Sequence, residues 1–385
     1  MNIKNKLIHL IGSIIPNEPQ CILNINTNLL DNRQKKILLC YIVSSLKKDL
    51  KGTIFHPNIS RCNQMITSLI NLGYAVDVCD ANDISCFPYI QKQDYVAVIG
   101  FGALYSMVCR MLDIKYKIIY MTENDPECIS EKYAERLEYF HKRHPQILLK
   151  PKSKRVQFYT SEQFLLSNKA IIMTNDFNSA RIKKIIPDNY VIKCNGLLNS
   201  LYKFNVSNIA ERRSHFLWFG STGLIQKGLD ILFDVFREMP ELTLDVYGAN
   251  KRELKSVKSI IPPNVNIYDR IDVQTTDFLE IVYRHLFIIS TSCLEGMQSG
   301  VSTCMRHGLI PLLTHECGYD EHNFIFHFND FRIETVKNRI QEVLSMSDSD
   351  LALLSQEAYR YANKEHTLES FTFSFQNIVK SILRF

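Results

Sequence analysis

A chain of 385 residues is too long for one ordinary hydrophobic core and suits two domains. With 46% hydrophobic and 22% charged residues it has a soluble globular composition. Forty-five basic and 40 acidic residues leave a formal net charge of +5, which excludes a dedicated nucleic-acid binder with its concentrated basic face.

At the amino end, Lys4 and Lys6 precede an apolar stretch from Leu7 to Ile15. His9 interrupts it and Pro16-Asn17-Glu18-Pro19 is a poor cleavage site, so a retained terminus is expected. Cys21 to Asn26 and Gly52 to His56 read as strands, and between them Leu38, Ile42 and Leu46 share one face of an expected helix. A second helix, about Cys62 to Leu72, closes at Gly73 and leads into the strand Ala75 to Val78. Tyr95 to Gly100 is an apolar strand that turns through Gly100-Phe101-Gly102. Lys117 to Tyr120, Ala170 to Thr174 and Tyr190 to Lys193 complete a parallel sheet in a doubly wound α/β domain. Periodicity fades from Asn195 to Ser214, where the linker is placed.

The second half opens with the strand Phe216 to Phe219 and a glycine-bearing turn, Gly220 to Gly228. Leu229, Leu232, Phe233 and Phe236 follow at helical spacing. Leu242, Leu244 and Val246 form a strand ending at Gly248, Val265 to Tyr268 form another, and Phe278, Ile281, Val282 and His285 mark a helix face. Then comes a βαβ unit: the strand Leu286 to Ile289, a loop with Ser290, Ser292, Glu295 and Gly296, a short helix from about Ser299 to Gly308, and the strand Leu309 to Leu313. Pro311 is expected near the start of that last strand. A final amphipathic helix carries Leu368, Phe371, Phe375, Ile378, Val379 and Ile382 on one stripe. The divisions expected are 1–205, 206–364 and a terminal helix over 365–385.

Ligands of such sheets bind beyond the carboxyl ends of the strands. There Glu295 lies beside a helix amino end suited to a phosphate, and Lys227 stands as a cation where a helix dipole favours an anion. Together Ser292, Glu295, Gly296, Gly308 and Pro311 resemble the donor-binding signature of family-four retaining glycosyltransferases (glycosyl transferases group 1). Gly220 to Gly228 resembles that family's Gly-Arg-x-x-x-x-Lys-Gly segment, one residue longer and with Ser221 at the Arg position.

The resemblance implies an α/β fold of the GT-B type, two Rossmann-like domains facing across a cleft, with the terminal helix crossing back to the first. It implies that Lys227 neutralises the donor diphosphate and that Glu295 contacts the donor sugar; these two are the catalytic candidates. Gly220, Ser221, Gly248, Gly296 and Gln298 would complete the donor site, with Ser299 and Gly300 offering N–H groups to the diphosphate. Thr303 stands where the family places a ribose-binding Glu. His56, Asn58, Glu123 and Asp125 are candidates on the acceptor side.

Other motifs read as structural. Asp348-Ser349-Asp350 looks like a helix cap with first-turn acids rather than a metal site. His141 and His144 lie on a charged helix expected to face solvent. Lys150, Lys152, Lys154 and Arg155 form a basic run read as a solvated loop, or as a contact with anionic lipid. Eleven scattered cysteines without a Cys-x-x-Cys pair suit a reduced cytosolic setting, and no run reaches the ~18 apolar residues of a membrane span. The reading is a metal-independent retaining hexosyltransferase without a cofactor, using a nucleotide-diphosphate sugar and a glycan or lipid-linked acceptor. It would work in surface polysaccharide synthesis, in the cytoplasm or at the inner face of the membrane. The alternatives are a sugar-nucleotide epimerase of similar fold and a non-catalytic sugar-nucleotide-binding partner subunit.

Overall fold

The computed structural model describes residues 19–27, 34–43, 57–149, 159–197 and 208–383. The amino-terminal stretch, the expected strand Gly52 to His56, His56 itself, the Asn58 side chain and the basic run Lys150 to Arg155 lie outside what is described.

Two sheets carry the fold. The first has strands β1 (Cys21–Ile25), β2 (Lys36–Tyr41), β3 (Ala75–Asp80), β4 (Ala97–Gly100), β5 (Tyr116–Met121), β6 (Lys169–Met173) and β7 (Asn189–Ile192). Their order is β1-β3-β2-β4-β5-β6-β7. The second has β8 (His215–Phe219), β9 (Thr243–Tyr247), β10 (Val265–Tyr268), β11 (Phe287–Ser290), β12 (Ile310–Thr314) and β13 (Phe326–Phe328), ordered β10-β9-β8-β11-β12-β13. All pairs in the second sheet are parallel, with helices crossing over between successive strands up to β12 and a 3₁₀ turn, His315–Cys317, leading on to β13. Pro311 is the second residue of β12, as expected.

Two expectations are corrected in the first sheet. The stretch with Leu38 and Ile42 is not helical: Lys36–Tyr41 is a central strand between β3 and β4. Its run Ile37-Leu38-Leu39-Cys40-Tyr41 is buried throughout, and a continuous apolar run fits a fully covered parallel strand as well as a helix. Nor is the sheet wholly parallel, since β1 runs antiparallel along the edge of β3 with a shift of register between Ile22 and Ile25. Asn24 and Asn26, both at positive φ, give that edge strand its irregular path.

The terminal helix Leu368–Leu383 does cross back. It packs on the first half's helix Pro57–Asn71, burying Phe371, Phe375, Val379 and Ile382 at helical spacing. The Thr372 hydroxyl donates to Gln64 Oε1 at 2.7 Å, and Leu197 pairs with Thr367 in an isolated bridge. Beneath this helix the fully buried Asn195 ties three parts together. Arg61 donates to its carbonyl oxygen at 2.9 Å, and its own Nδ2 donates to Ser302 Oγ at 2.8 Å and to the Tyr319 hydroxyl at 3.0 Å. Its N–H donates to His366 Nδ1 at 3.2 Å. Burial, with Arg306 and His322 nearby, drives the His366 pKa down to about 3, so the imidazole stays neutral and can accept.

A second seam joins the helix Pro126–Arg143 to the other half. Arg143 pairs with both Asp230 and Asp234, and His144 Nε2 lies 2.8 Å from Asp234. Arg136, almost wholly buried, donates to the Thr291 carbonyl and places its guanidinium 4.0 Å from the Phe331 ring centroid. This helix was expected to face solvent; Arg136, Arg143 and His144 instead form an interface, because arginine carries charge into protein contacts on an apolar stem. No described helix is long and apolar enough to cross a membrane.

Because Phe371 fills the join between the terminal helix and Gly196, Phe371→Ala should lower the unfolding free energy by about 3–5 kcal/mol. Urea unfolding followed by circular dichroism measures it.

Candidate active site

In the second sheet strand order reverses between β8 and β11, and the ligand crevice of such a sheet lies beyond the carboxyl ends at that point. Two loops diverge there, residues 220–228 after β8 and 291–298 after β11. They are laced together: Thr291 Oγ1 donates to the Gly228 carbonyl at 2.8 Å, and Cys293 N–H to the Gln226 carbonyl at 2.9 Å. Gly228 has φ +67°, and a Cβ would run into Thr291, so this crossing requires glycine. The lacing brings Lys227 Nζ onto Glu295 Oε1 in an ion pair. Lys227 is 5% exposed and Glu295 6%, and the Ser292 hydroxyl donates to Glu295 Oε1 at 3.3 Å. The anion that Lys227 meets is therefore Glu295 itself.

The first half roofs this pair. Asn124 and Asn178 donate from Nδ2 to the Glu295 carbonyl at 3.3 and 3.2 Å, and Thr174 Oγ1 donates to the Gly296 carbonyl at 2.7 Å. Asn175 Nδ2 donates to the carbonyls of His315, at 3.0 Å, and Tyr319, at 2.9 Å. Gly296 has the Thr122 carbonyl where a Cβ would stand. Loops at the carboxyl ends of β5 and β6 thus meet those of β11 and β12, and the Glu295 peptide is held from both sides.

Around the pair, Gly220 ends β8 and donates to the Tyr247 carbonyl at 3.2 Å; Gly248, at φ +82°, sits against the Gly220 carbonyl. Ser221 is exposed. Gln298 precedes the helix Ser299–Met305 and is buried, its Oε1 without a hydrogen-bond partner among the described residues. Ser299 and Gly300 are half-buried at the start of that helix. Thr303 turns its hydroxyl back onto the Ser299 carbonyl at 2.8 Å, a bond within its own helix.

The remaining candidates scatter. Asp125 caps the helix Pro126–Arg143, accepting from Cys128 N–H at 3.0 Å, and pairs with Arg181 at 2.7 Å. Asp125, an acceptor-side candidate, thus also ties the 122–125 loop to Arg181. Glu123 is half-buried in the 122–125 loop that roofs the site. His141 Nε2 accepts from Leu149 N–H at 3.3 Å, while His144 is turned to Asp234. Asp350 and Asp348 stand in the first turn of the helix Asp348–Glu365, capped by Ser347, and Asp348 pairs with Arg213 at 2.8 Å.

Neither a family model nor a curated protein matches the chain. Solved structures do. Sucrose-phosphate synthase from Thermosynechococcus elongatus superposes with TM-score 0.61 at 11% identity, covering 91% of this chain and 99% of that one. WaaG, a glycosyltransferase involved in lipopolysaccharide biosynthesis, gives 0.54 at 13% identity over 89% and 99%. Anabaena HepE, solved with UDP and glucose, gives 0.53 at 13% over 90% and 100%. The fold is GT-B. TarM matches with TM-score 0.52 at 14% identity, and the chain spans 58% of its length.

In this GT-B frame one group at the site went unread in the sequence. Glu253 Oε2 accepts from the backbone N–H groups of Gly223, at 2.9 Å, and Leu224, at 3.0 Å, inside the 220–228 turn. Asn250 caps the helix Lys251–Ser256 and Glu253 is its third residue, a capping-box spacing. The Asn-x-x-Glu pattern was legible; that the Glu would reach another loop was not.

Lys227 and Glu295 neutralise each other out of water, so removing the lysine takes from a buried carboxylate the cation that balances it. Lys227→Ala should cost about 3–5 kcal/mol of stability, most of it recovered in Lys227→Ala/Glu295→Gln. Thermal unfolding of the two variants side by side checks it.

Proposed function

We propose that the chain is a retaining hexosyltransferase that moves a sugar from a nucleotide-diphosphate donor to a glycan or glycolipid acceptor. The observation that carries this reading is the meeting of Lys227 and Glu295 at the β8–β11 switch point, under the loops of the other half. Each charge satisfies the other within the pair. A diphosphate arriving from the 220–228 side would take over the ammonium of Lys227. Glu295 would then be left as an acceptor aimed at neutral hydroxyls, which suits a sugar and not a second anion.

Chemistry follows from that exchange. As the bond from the anomeric carbon to the diphosphate oxygen breaks, negative charge grows on the leaving oxygen, and Lys227 stabilises it. Glu295 holds the sugar through its hydroxyls, so the anomeric carbon is presented to one face only. By the family resemblance, the acceptor hydroxyl attacks from the side the diphosphate leaves, giving up its proton to the departing phosphate, and configuration is retained. Positive charge comes from Lys227, and transfer is proposed to proceed without a metal ion. The basic run Lys150, Lys152, Lys154 and Arg155 would serve a lipid-linked acceptor at the membrane surface. A role in surface polysaccharide synthesis at the cytoplasmic face belongs to the same proposal.

HepE was solved with UDP and glucose, so UDP and UDP-sugars are the first probes. Glu295→Gln keeps the shape and removes the charge. It should lower kcat by about 10²-fold or more while UDP, by calorimetry, binds at least as tightly as to the native chain, its competitor for Lys227 being gone. Transfer at the native rate would take Glu295 out of the mechanism. UDP binding with no transfer to any acceptor would favour the non-catalytic subunit, a reading motivated by the exposed Ser221 and the self-bonded Thr303.

Product formation should persist in excess EDTA. Loss of activity restored by Mg²⁺ or Mn²⁺ would replace Lys227 as the source of charge compensation.

A further inference from the structure

A second concave site lies on the outer part of the second sheet, along its edge strand β10 and the neighbouring β9. Beside the carboxyl end of the helix Thr276–Arg284 a cavity of about 730 Å³ opens. Asp245 and Asn266 are register partners on β9 and β10, as are Tyr247 and Tyr268, so these side chains share the face that floors it. Tyr283 and Arg212 stand on its walls. His215 and Thr243, at its other end, begin β8 and β9, whereas Gly220 and Gly248 follow the carboxyl ends of those strands. The far end of the cavity is thus about one strand length, roughly 15 Å, from the Lys227 loop.

The lining narrows the ligand. Two acids, Glu211 and Asp245, face two guanidinium groups, Arg212 and Arg284, so the formal charge balances. Arg212 donates to the His285 carbonyl at 2.6 and 3.2 Å, which engages donors that a phosphate would need. Burial, reinforced by the neighbouring His285, lowers the pKa of His215 and keeps it neutral. Burial alone would raise Asp245, but the His285 imidazole 3.1 Å away and a hydrogen bond from Asn266 hold it below the usual carboxylate range. The site therefore offers an ionised carboxylate and an amide joined at 2.8 Å, without net positive charge.

Tyr268 stacks one ring face on Tyr247, with centroids 4.5 Å apart, and still exposes 38% of its surface; Tyr283 exposes 37%. Aromatic surface beside a carboxylate–amide pair suits a molecule with apolar C–H faces and a rim of neutral hydroxyls. A volume of this order holds a small ligand or a few sugar rings. We propose that this groove along β9 and β10 is a binding site for a neutral saccharide, separate from the site of transfer. Recognition at this groove draws on none of the residues of the transfer site.

The probe is a printed array of neutral oligosaccharides alongside sulfated and sialylated ones. It is followed by saturation-transfer NMR titration of the best neutral ligand, in the presence of saturating UDP. At least one neutral oligosaccharide should bind. Tyr268→Ala and Tyr283→Ala, at partly exposed positions that folded protein should tolerate, should each weaken it about fivefold or more. Glu295→Gln should leave its affinity unchanged. Binding only of anionic glycans, or of none, overturns the inference. So does affinity lost in Glu295→Gln but kept in both tyrosine variants, an outcome that puts the saccharide in the GT-B cleft and leaves the transferase reading intact.

Discussion

One buried ion pair organises this molecule. Lys227 and Glu295 sit on different loops, from strands that are neighbours in space but 68 residues apart in sequence. Neither charge is tolerable alone at such burial, so the two loops must fold against one another or not at all. The lacing through Thr291, Gln226 and Cys293 and the crossing at Gly228 are what that requirement looks like in backbone. The roof from the other half then shields the pair, its asparagines bonding to the carbonyl of Glu295 while the carboxylate meets Lys227 and Ser292.

The interface between the halves is correspondingly polar. Asn178, Asn175, Arg136 and Arg143 hold carbonyls and carboxylates across it and Asn195 holds two hydroxyls, beside a small apolar cluster of Cys128 and Ile129 with Cys293 and Leu294. Polar bonds of fixed direction define one arrangement more sharply than apolar contact does, since a displaced amide leaves a buried group unsatisfied. Directional bonds thus fix how the halves meet, within an apolar core that runs continuously through both sheets.

Much of the second half was legible in the sequence. There, strands are short apolar runs bounded by glycines, and Ser292, Glu295, Gly296 and Pro311 fall at spacings that a βαβ unit explains. The first half was harder, because Leu38 to Tyr41 is apolar at every position and such a run has no period of its own. Only the neighbouring strands β3 and β4 decide it. The exposure of the helix Pro126–Arg143 was misjudged for a related reason: charge count says how polar a helix is, not what it meets. At the site, the position of Lys227 and Glu295 could be read but not their contact, which depends on how two loops cross. Glu253 was hidden in the same way, its capping pattern giving no sign of a partner in the 220–228 turn.

The terminal helix has a consequence for biosynthesis. Thr372 meets Gln64 across a sequence separation of 308 residues. At ribosomal rates of about 5–20 residues per second, the helix Pro57–Asn71 waits ~15–60 s before its covering partner is made. Throughout that interval the nascent first half presents the surface that Phe371, Phe375 and Val379 will eventually fill. A segment translated late therefore closes one made early, and a chaperone that shields apolar surface has its natural window on this protein there.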